Sequence, residues 1–474
     1  MQPLAGIQVF EQDPTPRYRQ LYRQLRDAIL RGQLHPGERL PSSRALSQQL
    51  QLSRNTVKNA LELLQAEGYI HSRHGAGTWV EQNLPDHPLQ GAQQEFASTA
   101  KPAPTLSSLG QRLINHAPSS TLGWDRPLTP GRPALDAFPW QRWRRCCALA
   151  GKHHSTPVVG LPELQTHLCD YLRQSRGIRC EPEQVLVFSG SQQALQCAAA
   201  LLLDPGQPVL VEDPGFTGIS AMLDTVNARA MACPVDASGF QLPDSTEAAM
   251  AIITPSRNYP LGFTLSLERR LQLLDWAKTH NSWIIEDDYD SEFRFRGSPL
   301  MALQGLDNHD KVIYSGTFSR IMFPGIRLGY LVVPPPLVTP FSKARRHLDG
   351  GTSVTSQAAL AEFMQRGYFA SHLRRMRKLY RQRQQHLHQQ MLPLSDRLQL
   401  LHEDGGMHSV YLCPNLSDKK LAKDAQNLGL GVRSLSPHYA TKQGMNGLMI
   451  GFAGYDEATL DNAVDLLQKA LMSP

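Results

Sequence analysis

The run Glu286-Asp287-Asp288-Tyr289-Asp290 closes an apolar stretch, Trp283-Ile284-Ile285, so carboxylates and a phenol arrive together at what reads as a strand end. Thr317, Ser319, Arg320 and Arg327 lie between two further strand-like runs, Val312-Ile313-Tyr314 and Tyr330-Leu331-Val332-Val333. Strands that end in polar groups deliver them to one edge of an α/β sheet, where small ligands bind. Ser189-Gly190-Ser191-Gln192-Gln193 stands where an apolar strand turns into a helix, and the backbone N–H groups of such a turn suit a phosphate. That turn carries little weight alone, because many strand-to-helix turns contain Gly and Ser. Far upstream, Arg54, Asn55 and Lys58 share the early face of a helical stretch, a set of donors able to enter a DNA major groove.

The elements that must position these groups follow from periodicity. Leu21, Leu25 and Ile29 repeat at i, i+4 and i+8 and predict a helix over 15–31, broken by Gly32 and Pro36-Gly37. Ser42 or Ser43 caps a second helix, 44–50, and Ser53 a third, 54–67, which buries Val57, Leu61 and Leu64. Gly68–Val80 reads as a small hairpin with Arg73, His74 and two glycines at its tip. Together these make a winged helix-turn-helix over 12–80. Residues 81–108, rich in Gln, Pro, Ala, Ser and His without apolar periodicity, read as a flexible linker. From 109 to 474 strand-like and helix-like runs alternate, which implies an α/β domain with a mainly parallel sheet. Its tail, with a basic helix over 372–390, short strands at 409–412 and 448–452 and a helix at 457–471, reads as a small α+β subdomain.

Bulk properties agree with two or three soluble domains: 474 residues, 41% hydrophobic and 19% charged. No apolar run approaches membrane-spanning length, residues 1–16 lack the regions of a signal peptide, and a cytoplasmic protein is expected. Seven scattered cysteines without paired spacing point to reduced thiols, with neither a disulfide framework nor a structural metal. Residues 14–80 hold ten Lys/Arg against four Asp/Glu, so the whole net charge of +6 falls there and the remaining 38 of each sign cancel. A nucleic-acid surface belongs in that segment. A lone helix-turn-helix pattern is often spurious, but ordered motifs and localised charge make DNA binding the expectation.

The wording of the N-terminal segment closely resembles the GntR-type winged helix-turn-helix: Leu34-His35-Pro36-Gly37-Glu38-Arg39-Leu40-Pro41-Ser42-Ser43-Arg44, then Ser53-Arg54-Asn55-Thr56-Val57, Glu67-Gly68-Tyr69-Ile70 and Gly75-Ala76-Gly77-Thr78. The resemblance implies DNA contacts from Arg44, Arg54, Asn55, Thr56, Lys58, His74 and Gly75. The second module resembles fold-type I aminotransferases, which use pyridoxal 5'-phosphate. Carried over residue by residue, Phe216 would stack on the pyridine ring, Asp287 would pair with its nitrogen and Tyr289 with its ring oxygen. Ser191, Gln192, Thr317, Ser319 and Arg327 would form the phosphate cup, and Asn258 stands where related regulators commonly have glutamine. Joined, the two halves resemble the MocR-type regulators. That resemblance implies a head-to-tail homodimer that binds operator DNA, senses a small-molecule effector and involves no membrane.

Three departures bear on chemistry. Arg320 follows Ser319 where the resembled enzymes have the lysine that bonds covalently to the cofactor. A guanidinium stays protonated at any physiological pH and is no nucleophile, so that bond cannot form and ordinary transamination is not expected. The segment Ser155-Thr156-Pro157-Val158-Val159-Gly160 lacks the family's tyrosine, and residues 444–453 offer no arginine for a substrate carboxylate. Non-covalent binding of pyridoxal phosphate with Arg320 in the site, binding of another anion, and a ligand-free dimerisation scaffold all remain open. The competing class is an aminotransferase with an accessory DNA-binding domain; it requires a lysine where Arg320 stands.

Overall fold

The computed structural model describes residues 7, 9–10, 13–73, 77–84, 106–116, 124–153, 155, 157–244, 246–295, 297, 300–402, 405–441 and 444–472. The chain divides into two compact units, Met1–Pro104 and Thr105–Pro474. His74, Gly75 and residues 85–105, most of the expected linker, lie outside the described residues.

In the first unit the helices are α1 (Arg17–Leu30), α2 (Ser43–Gln49) and α3 (Arg54–Ala66). Ser42 Oγ accepts the Ala45 N–H at 3.2 Å and Ser53 Oγ accepts the Thr56 N–H at 3.1 Å, so hydroxyls cap α2 and α3 where backbone donors would otherwise be orphaned. Leu21, Leu25, Ile29, Val57 and Leu64 are buried in one cluster, while Leu61 is half-buried at its margin. A three-stranded antiparallel sheet places Gly77–Val80 between Arg39–Leu40 and Ile70–Arg73. The helix over Arg17–Leu30 is shorter than expected because Pro16 sits in an extended conformation just before it.

The second unit is built on an eight-stranded sheet in the order Val185–Phe188, Gly329–Val332, Val312–Thr317, Trp283–Asp288, Met250–Ile253, Pro208–Asp213, Arg229–Asp236, Gly239–Phe240. The five strands from Val312–Thr317 to Arg229–Asp236 run parallel, whereas Gly329–Val332 is antiparallel to both its neighbours. The sheet is covered on both faces, and several of its strands are accordingly buried at every position, among them Val185–Phe188 at one edge, Gly329–Val332 and Met250–Ile253. The consequence for function is geometric. Ser189, Asp213, Thr254, Tyr289 and Ser319 all stand at or just beyond the carboxyl ends of strands that point the same way, so they lie along one edge.

A buried arginine pins part of that edge. Arg345, fully buried, donates to the Val187 carbonyl at 2.7 Å and to Asp349 at 3.1 Å, and its guanidinium carbon lies 4.1 Å from the Phe188 ring centre. The strand leading into the Ser189-Gly190 turn is thereby tied to the helix Val338–Leu348. The C-terminal part forms a four-stranded antiparallel sheet, Gln399–Leu400, His408–Leu412, Gly447–Gly451 and Arg433–Ser434, packed with the helices Tyr368–Met391, Asp418–Asn427 and Glu457–Met472. The long basic helix begins four residues before the expected start, directly after Gly367, whose φ of 68° ends the preceding helix.

Candidate functional site

The strand ends converge on a cavity of about 560 Å³. Nine of the ten side chains singled out from sequence line it: Ser191, Gln192, Phe216, Asp287, Tyr289, Thr317, Ser319, Arg320 and Arg327. Asn258 does not. It is buried, with Nδ2 3.4 Å from the Pro214 carbonyl and Oδ1 accepting the Leu261 N–H at 3.3 Å, so its polar atoms brace two loops behind the cavity.

One end of the cavity is the N-terminus of the helix Ser191–Leu202. Gly190, at φ 113°, occupies backbone space closed to other residues, and a Cβ there would come within 3.4 Å of Arg327 Nη2. Arg327 itself is held at φ 48°, an unusual conformation for a side-chain-bearing residue, which brings its guanidinium against this turn. A helix N-terminus, a forked cation and the hydroxyls of Ser191, Thr317 and Ser319 make a setting for a tetrahedral anion.

Strand alternation separates the carboxylates at the opposite end. Asp288 faces the protein core, 2.7 Å from Arg176 Nη2 and accepting the Tyr314 hydroxyl at 2.7 Å. Asp287 faces the cavity and accepts a hydrogen bond from Ser315 Oγ at 2.9 Å. Burial pushes the Asp287 carboxyl up to about 6, with the charge of Asp288 adding to the effect against the Ser315 hydrogen bond. Glu212 and Asp290, buried nearby, are each raised to about 7 by burial. Among the described residues the buried Tyr289 hydroxyl and Ser319 Oγ have no hydrogen-bond partner within the protein, whereas Asp290 Oδ2 lies 3.6 Å from Arg257 Nε. Buried polar atoms left without partners are costly, and a cluster of them around one cavity marks a place for a polar ligand.

Arg320 forms part of the cavity wall. Its Nη1 donates to the Gly131 carbonyl at 2.8 Å and its guanidinium carbon lies 5.6 Å from the Trp124 ring centre. Gly131 permits this approach, since a Cβ there would fall 1.9 Å from the same nitrogen. Tyr259 and His408, which sequence inspection did not single out, complete the lining. Tyr259 makes edge contacts with Phe216, Tyr289 and His408 at 5.6–5.8 Å between ring centres. Burial drives His408 down to about 3, so it is neutral at physiological pH. Tyr259 directly follows Asn258 in the chain; His408 carries no local signal, because a strand of the C-terminal subdomain brings it in.

The raised Asp287 carboxyl has a measurable consequence. Its pKa rises from an unfolded value near 3.9 to about 6, so the folded state binds the extra proton and this group's contribution to stability is lost as pH rises through that interval. Two pKa units correspond to on the order of 3 kcal/mol. Asp287→Asn removes that penalty while keeping an acceptor for Ser315. Denaturant titrations should therefore show the variant gaining stability relative to the wild type between pH 4 and pH 7 (roughly the interval set by the two pKa values). Parallel pH profiles for the two proteins would refute the assignment.

On the first unit Arg44, Arg54, Asn55 and Lys58 are exposed. Thr56 is half-buried, its Oγ1 2.8 Å from Ser53 Oγ at the start of α3. Arg54, Asn55 and Lys58, in the first two turns, leave the apolar face of α3 to Val57 and Leu64, so burial of that face turns the polar donors outward.

Comparison with known proteins agrees with both halves. Residues 17–80 match the family described as bacterial regulatory proteins, gntR family, and residues 148–467 match aminotransferase class I and II. The probable rhizopine catabolism regulatory protein MocR of Rhizobium meliloti is 38% identical over 97% of this chain and 94% of its own length. This chain belongs to the MocR-type regulators of the GntR family. Another relative, the HTH-type pyridoxine biosynthesis transcriptional regulator PdxR of Corynebacterium glutamicum, is 33% identical over 94% of both chains. The second unit of this MocR-type chain has the aminotransferase fold of solved structures. One is a Pyrococcus horikoshii kynurenine aminotransferase (TM-score 0.66, 24% identity, 81% of this chain and 100% of that one). A second is the α-aminoadipate aminotransferase LysN of Thermus thermophilus, complexed with N-(5'-phosphopyridoxyl)-L-leucine (TM-score 0.66, 25% identity, 77% and 94%). The protein is a DNA-binding transcriptional regulator with an aminotransferase-like domain, and among the described residues no helix is long and apolar enough to cross a membrane.

Proposed function

We propose that this regulator works in the cytoplasm as a head-to-tail homodimer on operator DNA and senses pyridoxal phosphate, or a close relative of it, held without a covalent bond. The observation that carries the reading is the cavity edge at which Asp287, Tyr289, Ser319 and Arg327 turn toward one space, two of them with orphaned buried hydroxyls. These groups fit the cofactor's parts: the Ser191 helix terminus, Thr317, Ser319 and Arg327 for the phosphate, Phe216 for the ring face, Tyr289 for the ring oxygen and Asp287 for a protonated ring nitrogen. The cofactor supplies an aldehyde on an electron-withdrawing pyridinium. A nitrogen-bound proton beside Asp287 would offset the burial penalty on that carboxylate. Arg320 keeps its charge and its bond to the Gly131 carbonyl, so it can orient the ligand but neither bonds to it nor takes up a proton. With no lysine at 320 the aminotransferase-like domain serves binding rather than turnover. The PdxR relative is named as a transcriptional regulator of pyridoxine biosynthesis, which favours an effector of the same chemical family.

The test is a titration of the full chain with pyridoxal phosphate, followed by borohydride reduction and intact mass. Saturable binding with a rise in thermal midpoint and no gain of mass is the expected result. Absence of saturable binding and of any thermal shift would remove the cofactor from the reading, and the cavity would then await another anion.

A further inference from the structure

The first helix of the second unit, Ser108–Asn115, is attached by side chains rather than by burial. None of its residues is buried, and Leu113 and Ile114 stand exposed, so it adds nothing to a core. It packs against the helix Thr217–Thr225, and its polar ties meet on one carboxylate there. Asp224 Oδ2 lies 2.6 Å from His116 Nε2, and Asp224 Oδ1 lies 3.8 Å from Arg112 Nε. Asp224 stands in the last turn of its own helix, where aligned peptide dipoles leave a partial negative charge that disfavours a carboxylate. That turn holds no basic residue. Arg112 and His116 supply the offsetting charge and donor, so Asp224 serves the neighbouring helix rather than its own.

The other end of Thr217–Thr225 belongs to the cavity wall. Phe216, the residue before Thr217, lines the cavity, as does Gln192, whose Nε2 donates to the Gly218 carbonyl at 3.0 Å. Gly218 leaves no room for a side chain, since a Cβ there would fall 2.5 Å from the Phe216 ring and 2.9 Å from Gln192 Oε1. Between the two ends Ile219, Met222 and Leu223 are buried in the core against the sheet. A short rod, about 13 Å long at 1.5 Å per residue, thus joins the cavity wall to the Asp224 clip.

We propose that this rod carries the state of the cavity to the start of the second unit. A planar phosphorylated ligand stacked on Phe216 orders the first turn of Thr217–Thr225, which lowers the cost of ordering what the far end holds, and Ser108–Asn115 stays docked. The proposal rests on the sensing reading and adds what binding does. The chain from the first unit enters the second through Ser108–Asn115, so release of that helix adds residues 106–116 to the connection and widens the reach of the DNA-binding unit. The coupling is reciprocal, so a docked helix tightens ligand binding by the same factor.

The experiment is hydrogen exchange read by mass spectrometry on the full-length chain, with and without saturating pyridoxal phosphate, in peptides covering 106–116 and 216–225. In the wild type the ligand should slow exchange several-fold in both peptides. Asp224→Asn keeps the side chain's shape and removes its charge. Without ligand it should speed exchange of 106–116 while leaving 216–225 and the thermal midpoint nearly unchanged, and it should abolish the ligand's effect on 106–116 alone. Arg112→Gln should move the same peptide in the same direction, which guards against a change inside Thr217–Thr225 itself. Unchanged exchange of 106–116 in Asp224→Asn would overturn the clip, with or without ligand. A ligand that raises the thermal midpoint and slows 216–225 but leaves 106–116 of the wild type untouched would overturn the transmission. A thermal midpoint indifferent to ligand would defeat the sensing reading and the transmission with it, while the ligand-free comparison still decides the clip.

Discussion

Arg320→Lys is expected to gain the mass of pyridoxal phosphate after borohydride reduction, and the wild type under the same treatment is not. The side chain at 320 lines the cavity that also presents Asp287, Tyr289 and Ser319, so an amine placed there reaches the same ligand. Unlike a guanidinium, a partly desolvated ammonium can give up its proton, which burial and nearby cations favour and the carboxylates of Asp287 and Asp290 oppose, and the free amine attacks the aldehyde carbon with loss of water. Arg327 lines the same cavity and lies on the cationic side of that balance. The substitution also removes the forked donor to the Gly131 carbonyl and the stack on Trp124, so a modest loss of stability is expected alongside the gain in covalent capture. The readout separates three states of the protein. Mass gain in the lysine variant alone means that an intact site lacks only its nucleophile. Saturable binding without mass gain in the variant would show that position 320 does not face the aldehyde. Labelling of the wild type would point to another amine and overturn the assigned role of Arg320.

Arg54→Ala is expected to lower affinity for a selected operator by about 1–3 kcal/mol, roughly 5- to 150-fold, and to change binding to random DNA far less. Ser53 caps α3 through its hydroxyl, which leaves Arg54 at the first helical position with its side chain exposed. The cap fixes the direction in which that side chain leaves the helix, and a fixed forked donor can make two hydrogen bonds to one base edge. Asn55 adds a second group of the kind that reads adenine, while Lys58 is partly engaged with Glu62 at 3.6 Å along the helix. A competition titration with selected and random duplexes decides the matter. Equal losses on both would reduce Arg54 to a backbone contact and leave base reading to Asn55.

Much of this architecture was legible in the chain itself. The Leu21, Leu25, Ile29 repeat, the serines before α2 and α3, and the apolar runs ending at Asp287 and Thr317 are local signals. Each states how a residue meets its neighbours three or four positions away, or on alternate faces of a strand, and those relations survive whatever the rest of the chain does. The same holds for the charge, which is confined to one segment before any folding occurs. Element ends were less well defined: α1 starts at Arg17 rather than Thr15 and the long basic helix begins at Tyr368, because terminal turns depend on the conformation of the next residue outward.

What the sequence by itself determined is the set of elements, their order, and the family resemblance that the whole-length relatives bear out. The tertiary structure alone decided which polar groups face one another. Asp287 and Asp288 are neighbours of the same type, yet one looks into the cavity and the other bonds Arg176 in the core. Asn258, marked as a ligand contact by analogy, bonds the backbone at Pro214 and Leu261 and does not line the cavity, and Tyr259 and His408 stand in the cavity wall. Arg320 owes its position to Gly131 and Trp124, almost two hundred residues earlier in the chain. Periodicity and capping are short-range and can be read from neighbours in sequence. The partner of a buried polar group is set by close packing among distant segments, where only one arrangement satisfies most of the hydrogen bonds at once.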